Sequence, residues 1–285
     1  MLRDLVALMR LKHYLKNGLV FVPLLFSGKI GEGDNFLRTL WAFFAFCAIA
    51  SVVYIINDIR DVEKDRSHPK KKFRPIASGA VSARQASLLA VVLAVAAVGF
   101  GYLSKAGWET WGLLVSYLAI NVAYSAGLKN VPVVDVTILA AGFVLRVLYG
   151  ASVVDTGVSR WLYLTVLAGA FYLGLGKRRG ELLTVGSKTR KVNEFYTENF
   201  LDKNMYVCSA LALVFYSLWA TDPVHIAHHS LFWTIPIVMI LVMTYSLDVE
   251  RDGSMGDPVD VLTANKTLAL FGLLYLVLTT YLLYA

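Results

Sequence analysis

Residues 57–75 read NDIRDVEKDRSHPKKKFRP, and this highly charged segment lies between two long apolar stretches. Asp58, Asp61 and Asp65 are spaced i, i+3 and i+7, so on a helix their side chains fall within about 60° of one another. Carboxylates that close repel unless a cation lies between them, and hard oxygen ligands favour Mg²⁺ held jointly with substrate phosphates. The segment therefore predicts a magnesium-diphosphate site, with Asn57 as a neutral neighbour. We expect all three carboxylates to be open to a cytoplasmic cavity.

Basic side chains follow the aspartates directly and supply positive charge for phosphate oxygens that a metal does not neutralise. They are Arg66, Lys70, Lys71, Lys72 and Arg74. A basic loop alone could be a topology signal that attracts anionic lipid. Aspartates do not serve that purpose, and three of them at a membrane boundary are unfavourable unless they bind something. The acids and bases together favour a phosphate-binding site.

Composition indicates a polytopic membrane protein of the all-α class. The chain has 57% hydrophobic and only 16% charged residues, with a mean hydropathy of +0.60, outside the range of ordinary soluble domains. Stretches of about 20 apolar residues predict transmembrane helices. Nine such stretches lie near residues 17–34, 37–57, 82–104, 108–126, 133–151, 161–177, 205–221, 230–248 and 266–285. Because no hydrophilic segment of domain size remains, we expect a single transmembrane domain over residues 1–285.

Lysine and arginine are distributed unevenly between the predicted loops. They concentrate at residues 3–16, 60–74, 129 and 177–191 and are rare near 29–36, 104–109, 152–159 and 221–229. The positive-inside rule therefore predicts a cytoplasmic N-terminus in a multi-pass plasma-membrane protein. The loops expected on the cytoplasmic side are 57–81, 125–132, 178–204 and 249–265. They account for the net charge of +7, so we expect no nucleic-acid partner.

The run NDIRDVEKD at 57–65 matches the pattern NDxxDxxxD, and through it the chain resembles the UbiA superfamily of intramembrane prenyltransferases. The resemblance implies a nine-helix transmembrane bundle whose cytoplasm-facing cavity binds Mg²⁺ and a prenyl diphosphate through two aspartate motifs. At the place of the second motif the chain reads GKRRGELL. Lys177, Arg178 and Glu181 therefore stand where two aspartates would be expected.

The chain shares this departure with one branch of that superfamily. It resembles, along its whole length, the polyprenyl-phosphate phosphoribosyltransferases of arabinan-making bacteria. The similar segments are RLKHYLKNGLVFVPLLF at 10–26, NDIRDVEKDRSHPKKKFRPIASG at 57–79, YSAGLKNVPVVDVTILAAGFVLRVLYGA at 124–151, KRRGEL at 177–182 and GDPVDVL at 256–262. The resemblance implies 5-phosphoribosyl 1-diphosphate as the donor, a polyprenyl phosphate of the decaprenyl type as the acceptor, and Mg²⁺ as the cofactor. A basic second motif suits the additional 5-phosphate of that donor.

Further substrate-binding residues follow from the same resemblance. They are Lys16, Asn17, Arg66, His68, Lys72, Arg74, Tyr124 and Lys129. Lys177 and Arg178 are expected to bind the donor's 5-phosphate or the lipid phosphate, with Glu181 orienting them. Asp135 and Arg146, 11 residues apart, share one helical face that we expect to be turned inward. Substrate contact and a structural ion pair both remain open for these two.

The implied mechanism is attack by the lipid phosphate oxygen on C1 of the ribose with inversion. A phosphate monoester is already anionic near neutral pH and needs no strong general base. Two other classes remain open. A prenyltransferase acting on an aromatic or quinone precursor would share the first motif but predicts a second aspartate pair. A transporter would place charges at helix ends but does not explain the carboxylate face followed by HPKKKFRP. Homo-oligomerisation is possible.

Overall fold

The computed structural model describes residues 2–185, 191–222, 229–251, 254 and 256–284. Helices and short turns make up these ranges, with no strand among them, which confirms the predicted all-α class. The helices are α1 (Leu2–Met9), α2 (Tyr14–Asn17), α3 (Val22–Phe26), α4 (Asn35–Arg60), α5 (Val62–Arg66), α6 (Ala83–Leu103), α7 (Trp108–Ala126), α8 (Val134–Val153), α9 (Arg160–Val185), α10 (Glu198–Ala220), α11 (Ile235–Glu250), α12 (Pro258–Ala264) and α13 (Lys266–Tyr284). Turns of 3-10 helix occupy Leu11–His13, Gly18–Phe21, Lys29–Gly31, Lys71–Phe73, Leu128–Asn130, Lys191–Glu194 and His229–Thr234.

Eight of the nine predicted spans correspond to the long helices α4, α6, α7, α8, α9, α10, α11 and α13. Among the described residues, five segments are both long and apolar enough to cross a membrane, namely Asn35–Arg60, Ala83–Leu103, Val134–Val153, Leu231–Glu250 and Lys266–Tyr284. Parts of the predicted loops 178–204, 221–229 and 249–265 lie outside the described residues. The count of nine membrane crossings stays a prediction.

The first predicted span, 17–34, is not one helix. The chain there forms the end of α2, a 3-10 turn, the five-residue α3 and another 3-10 turn. Pro23 lies in the first turn of α3, where its missing N–H is tolerated, but it cannot sit inside a longer helix without removing a hydrogen bond. Gly28 follows α3 with φ of 73°, a left-handed conformation that ends helices. Both residues divide an apolar stretch that hydropathy alone reads as continuous.

The carboxylate segment is divided between two helices. Helix α4 ends at Arg60, Asp61 adopts φ −96° and ψ 8°, and α5 begins at Val62. Helical hydrogen bonding still passes through the break, because Asp61 N–H donates to Asn57 O at 2.9 Å and Asp65 N–H donates to Asp61 O at 2.8 Å. The predicted single helical face is therefore interrupted at its middle residue.

The chain divides into two compact units. The first contains residues 1–24, 29–129 and 145–156. One of its apolar cores gathers Val20, Phe46, Tyr117 and Tyr149. A second lies beneath the N-terminal helix and the charged segment, with Leu8, Ile55, Ile76 and Val81 among its members. Leu8 thereby fixes α1 against α4 and α6.

The second unit contains residues 25–28, 130–144 and 157–285. Its core includes Val136, Tyr172, Leu201 and Tyr245. Helices approach closely at Gly174, where a Cβ atom would lie 2.9 Å from Val136 Cγ1. Helix α9 packs against α10 and α11 in this unit. The expectation of one domain over residues 1–285 stays a prediction.

Candidate active site

Two of the three aspartates converge on one cation. Asp58, at the end of α4, and Asp65, in α5, have side chains only 3% and 4% exposed. Arg74 Nη1 donates to Asp58 Oδ1 at 3.0 Å and to Asp65 Oδ2 at 2.7 Å. A single nitrogen atom therefore lies within 3.0 Å of both carboxylates. The position of that nitrogen is one that a cation can occupy with two carboxylate oxygens.

Asp58 also binds Arg10, which follows α1. Arg10 Nη2 donates to Asp58 Oδ1 at 2.5 Å, and the guanidinium lies 4.8 Å from the centre of the Tyr54 ring. Arg10 adopts φ 53°, a left-handed conformation that costs a non-glycine residue about 1–2 kcal/mol. Sequence reasoning did not name Arg10 as a site residue. Its position at the start of the RLKHYLKN run was the available signal.

Asp61 has a different partner. Lys129 Nζ, in the turn after α7, lies 2.5 and 2.6 Å from the two oxygens of Asp61. Asn57 is bound from the same region, because Ser125 Oγ donates to Asn57 Oδ1 at 3.2 Å. The end of α7 thus holds the middle acid and the asparagine of the motif.

The expectation that all three carboxylates are open to a cavity is wrong for Asp58 and Asp65, whereas metal binding by the three acids stays a prediction. No group of three or more acidic, histidine or cysteine side chains among the described residues is arranged to hold a metal ion. Asp58 and Asp65 are buried, and Asp61 is turned to Lys129 because the helix breaks at that residue. Mg²⁺ is commonly bound through one or two carboxylates together with substrate phosphates. The converging pair Asp58 and Asp65 fits such an ion, and a binding role for Asp61 stays a prediction.

Arg66 and His68, two predicted binding residues of the charged segment 57–75, make contacts that order it. Arg66 donates to Glu63 Oε1 at 2.8 Å and to Ala77 O at 3.3 Å. His68 is 7% exposed, and its Nδ1 accepts the N–H groups of Lys70 and Lys71, each at 3.2 Å. These contacts shape the turn that brings Arg74 back to the aspartates.

Other predicted binding residues lie at the surface or at helix ends. The ammonium of Lys72 is 5.1 Å from the ring centre of Phe73 and is exposed. Lys16 and Tyr124 are half-buried, in the last turns of α2 and α7. Their roles, like those of Arg66 and His68, stay predictions.

Asn17 and Arg146 form a buried polar cluster. Arg146, 5% exposed, donates from Nε to Asn17 Oδ1 at 2.8 Å and from Nη2 to Tyr117 OH at 3.1 Å. Its guanidinium is also 5.1 Å from the centres of the Phe46 and Tyr117 rings. A buried cation packed this way is stabilised by aromatic faces and neutral acceptors.

Asp135 belongs to another cluster, in the second unit. Arg178 Nε donates to Asp135 Oδ2 at 2.6 Å, and Tyr196 OH donates to Asp135 Oδ1 at 2.6 Å. Burial, and then the hydrogen bond to Asp135, raise the pKa of Tyr196, so the hydroxyl keeps its proton. Sharing a helical face does not make Asp135 and Arg146 partners, because each is paired with residues from other elements.

Arg178 and Glu181 interact as their spacing predicts. Arg178 Nη1 donates to Glu181 Oε2, and the arginine side chain is fully buried. Arg179, one residue later, binds Asp202 Oδ1 at 2.6 Å and Glu198 Oε1 at 2.9 Å. The two arginines of the KRR run are therefore held by acids of neighbouring segments.

Lys177 is the most exposed base of this run. Its side chain is 29% exposed, and Nζ donates to Asp257 Oδ2 at 2.8 Å. Glu181, which we expected to orient either base, therefore binds Arg178 while Lys177 uses an acid 80 residues away. Asp257 is not among the predicted site residues, although it lies in GDPVDVL at 256–262, one of the segments that carry the resemblance.

Comparison with known proteins identifies relatives of this chain. Residues 20–189 match the UbiA prenyltransferase family. The chain is 33% identical to a decaprenyl-phosphate phosphoribosyltransferase of Mycolicibacterium smegmatis, over 95% of this chain and 90% of the relative. It is 32% identical to the protein of that name from Corynebacterium glutamicum, over 94% of this chain and 83% of the relative.

A solved structure shows the same fold. It is a UbiA homologue from Archaeoglobus fulgidus bound to GPP and Mg²⁺, and it superposes with a TM-score of 0.76 at 17% identity. The match covers 99% of this chain and 100% of the other.

Proposed function

The chain belongs to the UbiA prenyltransferase family, and from this membership we propose that it is a polyprenyl-phosphate phosphoribosyltransferase. It transfers 5-phosphoribosyl from 5-phosphoribosyl 1-diphosphate to a polyprenyl phosphate of the decaprenyl type and releases diphosphate. The observation that carries the proposal is identity of 31–33% over nearly the whole chain to relatives named decaprenyl-phosphate phosphoribosyltransferase. The absence of an aspartate pair at Lys177–Glu181 favours this branch over prenyl transfer to an aromatic acceptor.

Asp58 and Asp65 are the proposed metal-binding carboxylates, because both approach one cation position. Asp61 is proposed to assist this metal binding, with Asn57 as its neutral neighbour. Mg²⁺ bound with the donor would neutralise charge on the departing diphosphate. A solved relative of the same fold is described as bound to Mg²⁺, which supports a divalent metal here.

Three bases neutralise the aspartates in this structure, and we assign them to the phosphate oxygens of the donor. Arg10 and Arg74 bind Asp58, Arg74 also binds Asp65, and Lys129 binds Asp61. A metal held by Asp58 and Asp65 would supply positive charge to these carboxylates, and Arg10, Arg74 and Lys129 would then be available to an anionic ligand. Arginine suits phosphate because its planar N–H groups match two oxygens at once.

The acceptor phosphate is the nucleophile in this proposal. One of its oxygens attacks C1 of the ribose as the C1–O bond to diphosphate breaks, so the configuration inverts. The acceptor is already anionic near neutral pH, which removes the need for a strong general base. Catalysis then consists of holding two anionic substrates in line and stabilising the leaving group.

Lys177 is the proposed phosphate ligand of the KRR run, since its ammonium is the partly exposed one. The burial of Arg178 between Asp135 and Glu181 favours an orienting role for these three residues. Arg146 and Asn17 are proposed to support the binding region from within the first unit, with Lys16, Arg66, His68, Lys72 and Tyr124 as more peripheral candidates.

The membrane topology is also part of the proposal. The basic loops support a plasma-membrane protein with its N-terminus and active site on the cytoplasmic side. Such an orientation gives the site access to a soluble phosphorylated sugar while the lipid stays in the bilayer. A homo-oligomer is compatible with the proposal.

The test is product formation by purified protein with Mg²⁺. Diphosphate should be released from 5-phosphoribosyl 1-diphosphate only when polyprenyl phosphate is added, together with a phosphoribosylated lipid. Efficient prenyl transfer from a prenyl diphosphate to an aromatic acceptor, without phosphoribosyl transfer, would refute the proposal.

A further inference from the structure

The GDPVDVL segment at 256–262 has no part in the function derived so far. Its first residues press against the backbone of α9 next to Lys177. A Cβ atom on Gly256 would lie 2.3 Å from Gly176 O and 3.0 Å from Lys177 Cα, and Gly256 has φ of 63°. Only glycine combines this close approach with a left-handed backbone conformation. The turn at Gly256 therefore packs closely against α9 beside Lys177, the most exposed base of the KRR run.

Hydrogen bonds hold the turn in that place. Tyr245 OH, from α11, donates to Gly256 O at 2.8 Å. Asp257 is 6% exposed. Its Oδ1 accepts the N–H of Val259 at 3.0 Å and caps α12, while Oδ2 accepts Lys177 Nζ at 2.8 Å. One carboxylate thus serves two partners, and its position is fixed by the helix that it caps.

We propose that Asp257 is a positioning residue that orients the Lys177 ammonium to bind a substrate phosphate. This inference rests on the proposed phosphoribosyl transfer. A lysine side chain has four rotatable bonds, and ordering it on binding is unfavourable. Asp257 orders it beforehand, so less rotational freedom is lost when the phosphate arrives. The acid that supports the second motif comes from the N-cap of α12 and not from α9.

The phosphate is either the 5-phosphate of the donor or the phosphate of the polyprenyl acceptor, which share the same chemistry. Kinetics with both substrates varied separately distinguishes them. Whichever KM rises in the Lys177 variant identifies the phosphate that the ammonium binds.

The experiment compares Asp257→Asn, Lys177→Met and the double variant in the full-length protein. Asparagine caps helices as well as aspartate does, so the change removes the charge and keeps the cap. Asp257→Asn should raise the KM of one substrate about three- to tenfold, because a neutral acceptor binds ammonium less strongly. Lys177→Met should raise the same KM about 10- to 150-fold, through loss of a charge-assisted bond.

The double variant gives the decisive measurement. If Asp257 acts through Lys177, the double variant should match Lys177→Met alone, because coupled residues are not additive. Asp260→Asn, an exposed acid on the same helix, is the matched control and should leave both KM values unchanged. Lys177→Arg should restore part of the affinity, which loss of folding would not allow.

Three results would overturn the inference. Asp257→Asn could leave both KM values unchanged or lower one of them. It could also raise a KM by the same factor whether residue 177 is lysine or methionine. If Asp257→Asn fails to fold, Asp257→Ser supplies a cap without the charge and is judged by the same criteria. If the wild type transfers phosphoribosyl and Lys177→Met is fully active, this inference is wrong and the proposed function still holds. A wild type that transfers none defeats the proposed function.

Discussion

At the scale of single residues, Asp58 is the acid of the candidate site that contacts two arginines. Its Oδ1 accepts from Arg10 at 2.5 Å and from Arg74 at 3.0 Å, while its side chain is 3% exposed. A buried carboxylate is tolerated only while cations or hydrogen-bond donors hold its charge. Under the proposed function, a metal bound by Asp58 would change its bonds to both arginines, and substrate binding would then be coupled to the strength of these ion pairs.

We predict that Asp58→Asn and Asp65→Asn each reduce phosphoribosyl transfer by on the order of 100-fold or more, because each removes the charge of a proposed metal ligand. Transfer is measured as labelled lipid product in detergent at saturating Mg²⁺. The matched control is Glu109→Gln, an exposed acid at the start of α7, and it should keep wild-type activity. Chelation of Mg²⁺ should reproduce the aspartate variants. Full turnover in both of them would exclude the assigned metal pair.

Arg10 is predicted to contribute to donor binding. Arg10→Met should raise the donor KM about 10- to 150-fold, the usual effect of losing one charge-assisted bond. Arg10→Lys should recover part of it, since a charge remains but the planar fork is lost. Arg3→Met, which changes an exposed arginine of the preceding helix α1, serves as the control. An unchanged donor KM in Arg10→Met would assign Arg10 to fold stability alone.

At the scale of elements, the break between α4 and α5 separates the three acids. Asp61 lies at the break, with ψ of 8°. Asp58 therefore belongs to α4 and Asp65 to α5. Asp58 and Asp65 are brought back together by Arg74 from the following loop, and Asp61 is taken by Lys129. Helix α9 shows a related arrangement, because its KRR run is anchored by acids from three other segments.

Arg178 is predicted to be essential to the stability of its unit. Arg178→Gln leaves Asp135 and Glu181 without their guanidinium partner in a buried site, a change that typically costs about 3–5 kcal/mol. The expected readout is a clear fall in Tm of the detergent-solubilised protein, seen before any kinetic comparison. Lys203→Gln, an exposed base on α10, should leave Tm unchanged. A stable but inactive Arg178→Gln protein would instead indicate a direct substrate contact.

At the scale of the whole chain, the distribution of charge suggests the orientation in the membrane. Basic residues flank the aspartate segment before α6, whereas the loop after α6 has few. Helix α6 is 21 residues long with high hydropathy, which is enough to cross a bilayer. The two ends of this one helix therefore provide a direct test of topology.

Cysteine labelling in intact cells tests the predicted orientation. A cysteine at Lys70 should be protected from an impermeant thiol reagent, whereas a cysteine at Glu109 should react, because α6 lies between them. Both positions are exposed, so a difference in labelling reports the side of the membrane. The native Cys47 is buried, and the unmodified chain gives the background. Labelling of Lys70→Cys from outside would reverse the topology.

The sequence by itself determined the helical class, the positions of eight long helices and the existence of a charged catalytic candidate at 57–75. Hydropathy and helical period are local properties, so they can be read from consecutive residues. The Arg178–Glu181 pair was predictable for the same reason, since residues three apart on a helix are neighbours. The first predicted span was wrong as a helix because hydropathy takes no account of Pro23 and Gly28.

Only the tertiary structure decided which charges from distant parts of the chain meet. Arg10 lies 48 residues from Asp58, Lys129 lies 68 from Asp61, and Asp257 lies 80 from Lys177. No periodicity links residues so far apart, and each pair depends on how helices from distant parts of the chain pack together. The aspartates were therefore recognisable from their spacing, whereas their burial and their partners were not. Packing alone determines the burial and the partners of the aspartates, because an ion pair forms where two side chains come within hydrogen-bonding distance, whatever their separation along the chain.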